Sequence, residues 1–304
     1  GIQRTGEVVR LFAKGFKDER QLLKTAIDVP NNDLDAYTSF DENTGNYYMW
    51  LVNRNQATVS LTIDLAALKL PITSSLTAEE VGEKYYGEVS QLLMLSKNST
   101  LSYSLSPQSV VLLTITPTKT TPTVVASNNA ISVKAGANAQ KYFSNTLGVQ
   151  LDAANPSNNE VAYVGFDISA LQKKLPRKAV LAIAGNVNDA DRPYRLHVYA
   201  IPQDQLWTSK ANFNWNNAPY LDKNEALVKQ VGTAAFIAGE MAFDRQKKYH
   251  YLDVTDLIKR HGKKQLTFVL VRETRQMGDD EDKGRRVSLT MPSEPQKPKL
   301  LLWQ

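Results

Sequence analysis

Aromatic and amide side chains cluster in one stretch of the second half of the sequence. The aromatic members are Trp207, Trp215 and Tyr220, and the amides are Asn214, Asn216 and Asn217. Aromatic faces stack on the C–H faces of sugar rings while amides bind hydroxyl groups, so this composition is typical of a saccharide-binding loop. A structural alternative is that Trp215 packs beneath the loop and the asparagines satisfy the backbone of a turn. We therefore predict ligand contacts for Trp207 and Tyr220.

Two further segments are rich in arginine, whose planar guanidinium grips sulfate or carboxylate through paired hydrogen bonds. The alternatives are a solvated surface, or internal pairing with the acidic run 279–282 that precedes Arg285 and Arg286. The residues of these segments for which we predict ligand binding are Arg192, Tyr194, Arg195, Arg272 and Arg275.

The acidic run 279–282 offers hard oxygen ligands of the kind that Ca²⁺ prefers. Its spacing matches no known calcium loop, which favours a solvated loop instead. A structural Ca²⁺ ion is the only cofactor that the sequence leaves open.

Patterns that would indicate catalysis are missing from the sequence. The chain has no cysteine, and its three histidines, His197, His250 and His261, lack metal-ligand spacing and a serine–histidine–aspartate pattern. There is no glycine-rich phosphate loop. Glycoside hydrolysis needs two carboxylates about 5–9.5 Å apart, and sequence alone cannot pair them. We therefore predict no catalytic residue in this chain.

The net positive charge of the chain comes entirely from its second half. Residues 1–126 contain 11 basic and 13 acidic residues, whereas residues 127–304 contain the remaining 25 and 18, so that the net charges are −2 and +7. This distribution indicates an anionic partner for the second half. Nucleic acid, an anionic membrane surface and an acidic or sulfated polysaccharide all fit by charge. The basic residues are scattered and no nucleic-acid-binding module appears, so we do not expect a nucleic-acid partner.

Hydrophobic periodicity predicts an all-β protein with one helix at the start. Val8, Leu11 and Phe12 fall on one face of a helix that Thr5 caps and that ends near Gly15. Beyond it, apolar and polar residues alternate over many short segments, as in 59–65, 101–105 and 162–168. One further short helix is expected at 255–261, closed by Gly262. We predict two antiparallel β-sandwich domains of the jelly-roll kind.

A threonine- and proline-rich stretch separates the two predicted domains. Two prolines among threonines favour an extended connector with nothing to bury. We place the first domain at 1–116, the connector at 117–126 and the second domain at 127–304. No apolar run is long enough for a membrane span, and Glu7 and Arg10 interrupt any signal peptide at the start. An export signal would lie outside these residues.

The first 115 residues resemble the junction that follows the catalytic barrel of glycoside hydrolases. The resemblance rests on three segments, 6–16, Tyr48–Arg54 (Tyr-Met-Trp-Leu-Val-Asn-Arg) and Ser109–Leu113 (Ser-Val-Val-Leu-Leu). In those enzymes the last barrel helix runs into a small β-sandwich, so the leading helix would be the end of a catalytic domain. Marine agarases and porphyranases show the greatest similarity.

Residues 127–304 resemble polysaccharide-binding β-sandwich modules that are appended to bacterial lyases and glycoside hydrolases. The matching segments, in the same order and spacing, are 162–169, 214–219, 252–258 and 298–300. Members of that family usually carry arginine where this chain has Gly165, so no role of that arginine can be carried over.

The resemblance implies a non-catalytic carbohydrate-binding module that holds a larger secreted, cell-surface or periplasmic enzyme on an algal polysaccharide. The positive charge of the second half adds the expectation that this polysaccharide is anionic, sulfated or uronate-containing. The enzyme would be an agarase- or porphyranase-like glycoside hydrolase, covalently linked to this chain. Two alternatives stay open. The chain is itself a polysaccharide lyase or hydrolase, or it is an adhesion protein without an enzymatic parent.

Overall fold

The chain divides between Pro122 and Thr123 into an N-terminal and a C-terminal unit. The computed structural model describes residues 4–16, 20–28, 33–141, 143, 145–173, 175–188, 193–203, 213–222, 227–228, 235–262, 264–272 and 285–304. Two α-helices, α1 (Arg4–Phe16) and α2 (Thr255–His261), lie among these residues, and the strands that pair within them are antiparallel. Neither helix has the length and apolar character needed to span a membrane.

The N-terminal unit packs a six-stranded sheet against a two-stranded one. The larger sheet has the order β1-β2-β3-β8-β5-β6, and β4 pairs with β7. Buried Leu51, Leu76, Leu105 and Leu113 fill the space between the two sheets. The strands are β1 (Gln21–Leu23), β2 (Leu34–Asp41), β3 (Asn46–Asn53), β4 (Val59–Asp64), β5 (Ser75–Val81), β6 (Tyr86–Leu93), β7 (Thr100–Leu105) and β8 (Ser109–Thr116).

Helix α1 covers part of the other face of the six-stranded sheet and belongs to the fold of this unit. Trp50 of β3 is fully buried beneath it and donates its indole N–H to the Leu11 carbonyl at 3.3 Å. Gly15 lets the helix approach, because a Cβ there would lie 1.9 Å from Cζ2 of Trp50. The hydroxyl of Ser39 donates to the Gly15 carbonyl at 2.7 Å. The helix begins one residue before Thr5, the predicted cap.

Strand β5 carries two adjacent glutamates that face opposite sides of the sheet. Glu79 faces α1, where Lys14 and Arg10 pair with it. Glu80 is 3% exposed on the side of Tyr103. Burial raises the pKa of the Glu80 carboxyl, although hydrogen bonds from Ser106 and Ser90 act in the opposite direction. The Glu80 side chain is thus held in an environment that favours its neutral form.

The C-terminal unit is a sandwich. Eleven of its described strands are linked into one hydrogen-bonded sheet, and the two short strands Leu221–Asp222 and Leu227–Val228 pair only with each other. One layer runs β17-β14-β19-β12-β10, and the sheet continues through the pair Gln150–Glu160 into the layer that contains β11, β20, β13, β18, β21 and β9. The strands are β9 (Thr123–Ala126), β10 (Asn129–Lys134), β11 (Leu147–Gln150), β12 (Glu160–Asp167), β13 (Lys178–Val187), β14 (Tyr194–Gln203), β15 (Leu221–Asp222), β16 (Leu227–Val228), β17 (Phe236–Phe243), β18 (Lys248–Asp253), β19 (Gln265–Val271), β20 (Arg286–Leu289) and β21 (Lys299–Trp303).

Both layers of this sandwich contribute to one apolar core. Phe166 of β12 meets Phe268 of β19 edge to face, with ring centroids 5.8 Å apart. Ile183 of β13 and Leu300 of β21 enter the same core from the opposite layer. The predicted all-β sandwich fold is therefore confirmed.

Two local features differ from the sequence-based expectation. The end of the predicted connector, Thr123–Ala126, forms strand β9, because it finds an antiparallel partner in β21. Gly262 closes α2 as expected, but its backbone is extended (φ −61°, ψ 120°) and not left-handed. Its N–H still donates a hydrogen bond to the Ile258 carbonyl at 2.9 Å. A carbonyl of the last helical turn therefore has its hydrogen-bond partner without a left-handed cap.

Gly15→Ala should destabilise the N-terminal unit, because the added methyl group overlaps the Trp50 ring. We expect a cost of about 1–3 kcal/mol, typical of overpacking a filled core. Denaturant unfolding followed by tryptophan fluorescence measures it. Gly6→Ala in the same helix is the control, and it should be neutral or stabilising because alanine is the better helix former. Equal stability of the two variants would contradict this packing.

Glu80→Gln should make the stability of the N-terminal unit less sensitive to pH. Because the pKa of Glu80 is raised in the folded chain, stability is greatest below the unfolded pKa of about 4.3 and is lost as the pH rises through the folded pKa. The variant should therefore gain stability relative to the native protein as the pH rises above about 4.3, measured by urea denaturation.

The matched control for this experiment is Glu83→Gln, which changes an exposed glutamate of the same β5–β6 hairpin. It should follow the native protein at every pH. Parallel pH profiles of all three proteins would show that burial of Glu80 does not cost stability.

Candidate functional site

Of the predicted site residues, Arg195 and Tyr220 lie on the outer face of the layer β17-β14-β19-β12-β10. Along β14, Leu196 and Val198 point into the core, so Arg195, His197 and Tyr199 point outward. The neighbouring strands add Val269 and Val271 from β19, Val161 and Tyr163 from β12, and Ile131 and Val133 from β10. The centre of this outer face is therefore apolar.

The segment 213–222 covers that apolar centre. Trp215 is 5% exposed and packs in one cluster with Tyr199 and Val269. Phe213 meets the ring of Tyr163 edge to face at 5.0 Å, and the Tyr163 hydroxyl donates to the Pro219 carbonyl at 3.1 Å. Trp215 thus serves as packing, which agrees with the structural alternative considered for it.

The asparagines of this segment bind its own backbone. The side-chain oxygen of Asn217 accepts from the Asn214 N–H at 2.8 Å, and that of Asn214 accepts from the Asn216 N–H at 2.9 Å. Tyr220 follows at φ 58°, half-buried against the same apolar cluster. These bonds fix the turn that holds Trp215 and Tyr220 against the sheet.

A polar pair lies at the β17 side of the covered centre. His197 stands directly opposite Glu240 in the β14–β17 register, and its Nε2 lies 3.3 Å from Glu240 Oε1. The Glu240 side chain is 36% exposed and that of His197 is 12% exposed. The neighbouring Ile237, which is opposite Tyr199, is also exposed. Histidine, carboxylate and apolar side chain are thus presented together at this edge.

The charges around Glu240 keep its carboxyl ionised. Partial burial alone would raise its pKa, but the hydrogen bond and charge of His197 and the charges of Arg195 and Arg272 outweigh burial and lower it. At neutral pH this edge therefore presents a fixed carboxylate acceptor among basic groups.

The predicted residues Tyr194, Arg195 and Arg272 are brought together at the same end of β14, and all three are buried. The Arg272 guanidinium lies 4.3 Å from the centre of the Tyr194 ring, and its Nη1 donates to the Arg195 carbonyl at 3.0 Å. These contacts show that Arg272 and Tyr194 stabilise the sandwich. Arg192, Trp207 and Arg275 lie outside the described residues, as does the acidic run 279–282. The ligand-binding role of the set stays a prediction.

Arg286, from the second arginine-rich segment, is half-buried and paired with a buried glutamate. It donates to both oxygens of Glu160, at 2.6 and 2.9 Å, and lies across Gly148, where a Cβ would come within 2.2 Å of its guanidinium. Internal pairing was one alternative for this segment, and the partner of Arg286 is Glu160. In the described part of the chain, no group of three or more acidic or histidine side chains is arranged to hold a metal ion.

The pair His197–Glu240 was not predicted. His197 was interpreted as an isolated strand residue, and Glu240 was not considered. Alternation along β14 places His197 on the outer face with Arg195, but nothing in the sequence reveals that Glu240 pairs with it. That neighbour depends on the β14–β17 register, which a bulge at Val198 and Tyr199 shifts by one residue.

Solved structures similar to this chain include enzymes and binding modules. An endoxylanase of glycoside hydrolase family 30 from Clostridium papyrosolvens is 17% identical over 37% of this chain and 28% of its own, with a TM-score of 0.32. A β-porphyranase of glycoside hydrolase family 86 from the gut bacterium Bacteroides plebeius is 12% identical over 93% of this chain and 38% of its own, with a TM-score of 0.25.

A tandem of family 22 carbohydrate-binding modules from Paenibacillus barcinonensis is 9% identical over 96% of this chain and 95% of its own, with a TM-score of 0.27. These scores are too low to support a functional argument. This chain spans well under half the length of the two enzymes. No curated protein matches it.

Family membership rests on a direct match of the sequence. Residues 121–281, more than half of the chain, match carbohydrate-binding module family 96. The match begins just before β9 and takes in β14 and β17, which carry the His197–Glu240 pair. The chain belongs to carbohydrate-binding module family 96.

Proposed function

We propose that the C-terminal unit binds a polysaccharide at the β17 edge of its outer sheet face. The observation that carries this proposal is the His197–Glu240 pair, which is partly exposed beside an apolar area that segment 213–222 has already covered. Family membership supplies the ligand class, and a rigid sheet supplies the fixed spacing that sugar hydroxyls require.

The chemistry of the pair suits hydroxyl groups. The Glu240 carboxylate accepts hydrogen bonds from sugar hydroxyls, and the imidazole of His197 can accept or donate. The exposed side chain of Ile237 offers an apolar contact to the C–H face of a sugar ring. Because both polar side chains stand on paired strands, little conformational entropy is lost when a ligand binds.

The net charge supports an anionic ligand. Residues 127–304 carry +7 and residues 1–126 carry −2, so the charge excess lies in the unit that binds carbohydrate. We propose that the ligand is a sulfated or uronate-containing algal polysaccharide, which the positive electrostatic field of this unit attracts. Arg192, Arg275 and Trp207 remain the predicted direct contacts, whereas the buried Arg195 and Arg272 contribute charge.

The module would act within a larger secreted protein. The motifs of the N-terminal unit that resemble the region after a glycoside hydrolase barrel support an agarase- or porphyranase-like enzyme as the linked catalytic domain. Holding such an enzyme on its polymer raises the local substrate concentration without changing its chemistry. This chain would supply binding and no catalysis.

Glu240→Gln and His197→Ala should each weaken polysaccharide binding. A hydrogen bond to a charged group contributes about 1.5–3 kcal/mol, so an affinity loss of roughly tenfold or more is expected. Affinity gels with agarose, porphyran, carrageenan and alginate identify the ligand, and isothermal titration then measures the loss.

The matched control is Glu294→Gln, another partly exposed carboxylate of the C-terminal unit that is paired with a basic residue, Lys247, at 2.9 Å. It should bind like the native chain. Equal affinity of Glu240→Gln and the native chain would refute the proposed site, and release of reducing ends or unsaturated sugars by this chain would refute its non-catalytic role.

The salt dependence of the binding affinity distinguishes an anionic ligand from a neutral one. Exposed ion pairs weaken as the Debye length falls from about 10 Å at 0.1 M salt to about 3 Å at 1 M. Binding should therefore drop strongly between these concentrations, and Arg192→Ala should lose affinity mainly at low salt. Trp207→Ala should lose affinity at both, because stacking is not screened. Affinity for a neutral polymer that responds to neither salt nor Arg192→Ala would contradict the anionic ligand.

A further inference from the structure

Two aromatic side chains remain exposed on the sheet face that α1 only partly covers. Phe16, at the end of the helix, is 43% exposed although its ring stacks parallel to Trp50 at 4.1 Å. Tyr37 of β2 stands directly opposite Trp50 in the β2–β3 register and is 48% exposed. Leu22 of β1, opposite Ser39, is 67% exposed on the same face. Phe16 and Tyr37 thus adjoin the buried Trp50, and Leu22 lies on the same face beside Ser39.

The base beneath these side chains is rigid. Trp50 is fully buried and its indole N–H is bonded to helix α1. The rings of Phe12, Phe16 and Trp50 are parallel within 3°. The outer face of the Phe16 ring is therefore held in a fixed orientation by the stack below it.

An ion pair flanks the aromatic side chains. Asp35 lies two residues before Tyr37 on β2 and so points to the same face. It pairs with Arg54, and the two side chains are 32% and 51% exposed. The Asp35 carboxylate thus lies two residues along β2 from the exposed Tyr37, and the Arg54 guanidinium is paired with it.

We propose that Tyr37, Phe16, Leu22, Asp35 and Arg54 form a second saccharide-binding surface, on the N-terminal unit. Open aromatic faces stack on the C–H faces of sugar rings, and the adjacent charged pair binds hydroxyl or acidic substituents.

The choice of a polysaccharide as ligand, and not a protein, rests on the proposed function. The C-terminal unit brings such a polymer to this chain. A second contact on the same polymer is then intramolecular and strengthens attachment without requiring a tight individual site.

Tyr37→Ala in the full chain tests the proposal, with short oligosaccharides from agarose, porphyran, carrageenan and alginate as probes. Removing one stacked ring should weaken binding at this surface roughly 3- to 10-fold. Tyr37→Phe should retain the affinity because it keeps the ring. The matched control is Ile72→Ala, which removes an exposed apolar side chain elsewhere in the same unit.

Hydrogen exchange locates the binding. We expect the oligosaccharide that binds to protect residues 34–53, and Tyr37→Ala to abolish that protection. Absence of protection there with all four probes, or equal binding by Tyr37→Ala and Ile72→Ala, overturns the inference.

The same measurement separates this inference from the proposed function. Protection of residues 194–203 and 236–243 without 34–53 supports the C-terminal site and overturns the second surface. Protection of 34–53 alone supports the second surface and overturns the C-terminal site.

Discussion

Strand β14 packs on both of its faces: one face contributes to the core of the C-terminal sandwich, and the other carries the candidate site. Its inward residues Leu196 and Val198 are fully buried in the core, and the residues between them face outward. Because side chains alternate with a period of two, a shift by one residue would place His197 in the core and expose leucine and valine. The hydrophobic core therefore sets which residues of β14 face outward, and the pairing of β14 with β17 places His197 opposite Glu240. The proposed binding surface depends on the packing on its reverse side.

Alternation was sufficient to predict the fold class but not every strand. The segments 59–65 and 101–105 alternate strictly and form β4 and β7 as expected. Strand β5 contains Ala78-Glu79-Glu80, residues that are depleted in strands, and it was missed. It forms because Glu79 finds Lys14 and Arg10 on α1 and because Leu76 and Ala78 are buried in the core. These contacts offset the cost of enclosing Glu80 beside Tyr103. Tertiary partners that lie far away in sequence overrule local propensity there.

The candidate site was less predictable than the fold, since residue type does not reveal burial. Arg272 and Trp215 have the composition of binding residues, yet one lies over Tyr194 and the other packs under its own loop. Glu240 has no distinctive sequence context and is exposed at the sheet edge. Charge and aromatic content thus located the correct half of the chain. The individual contacts depend on strand register, which the sequence does not determine at a bulge.

The first and last strands of the C-terminal unit lie side by side, with Leu300 opposite Val125 and Leu302 opposite Thr123. The chain therefore enters and leaves this unit at neighbouring points of one sheet edge. Leu300 and Leu302 are both fully buried in the core, although they lie beyond residue 281, where the family match ends. A recombinant fragment cut at the family boundary would lose β20 and β21, leave the edge of β9 unpaired and open the core to water. Such a fragment would aggregate, so an expressible module has to extend through Leu302.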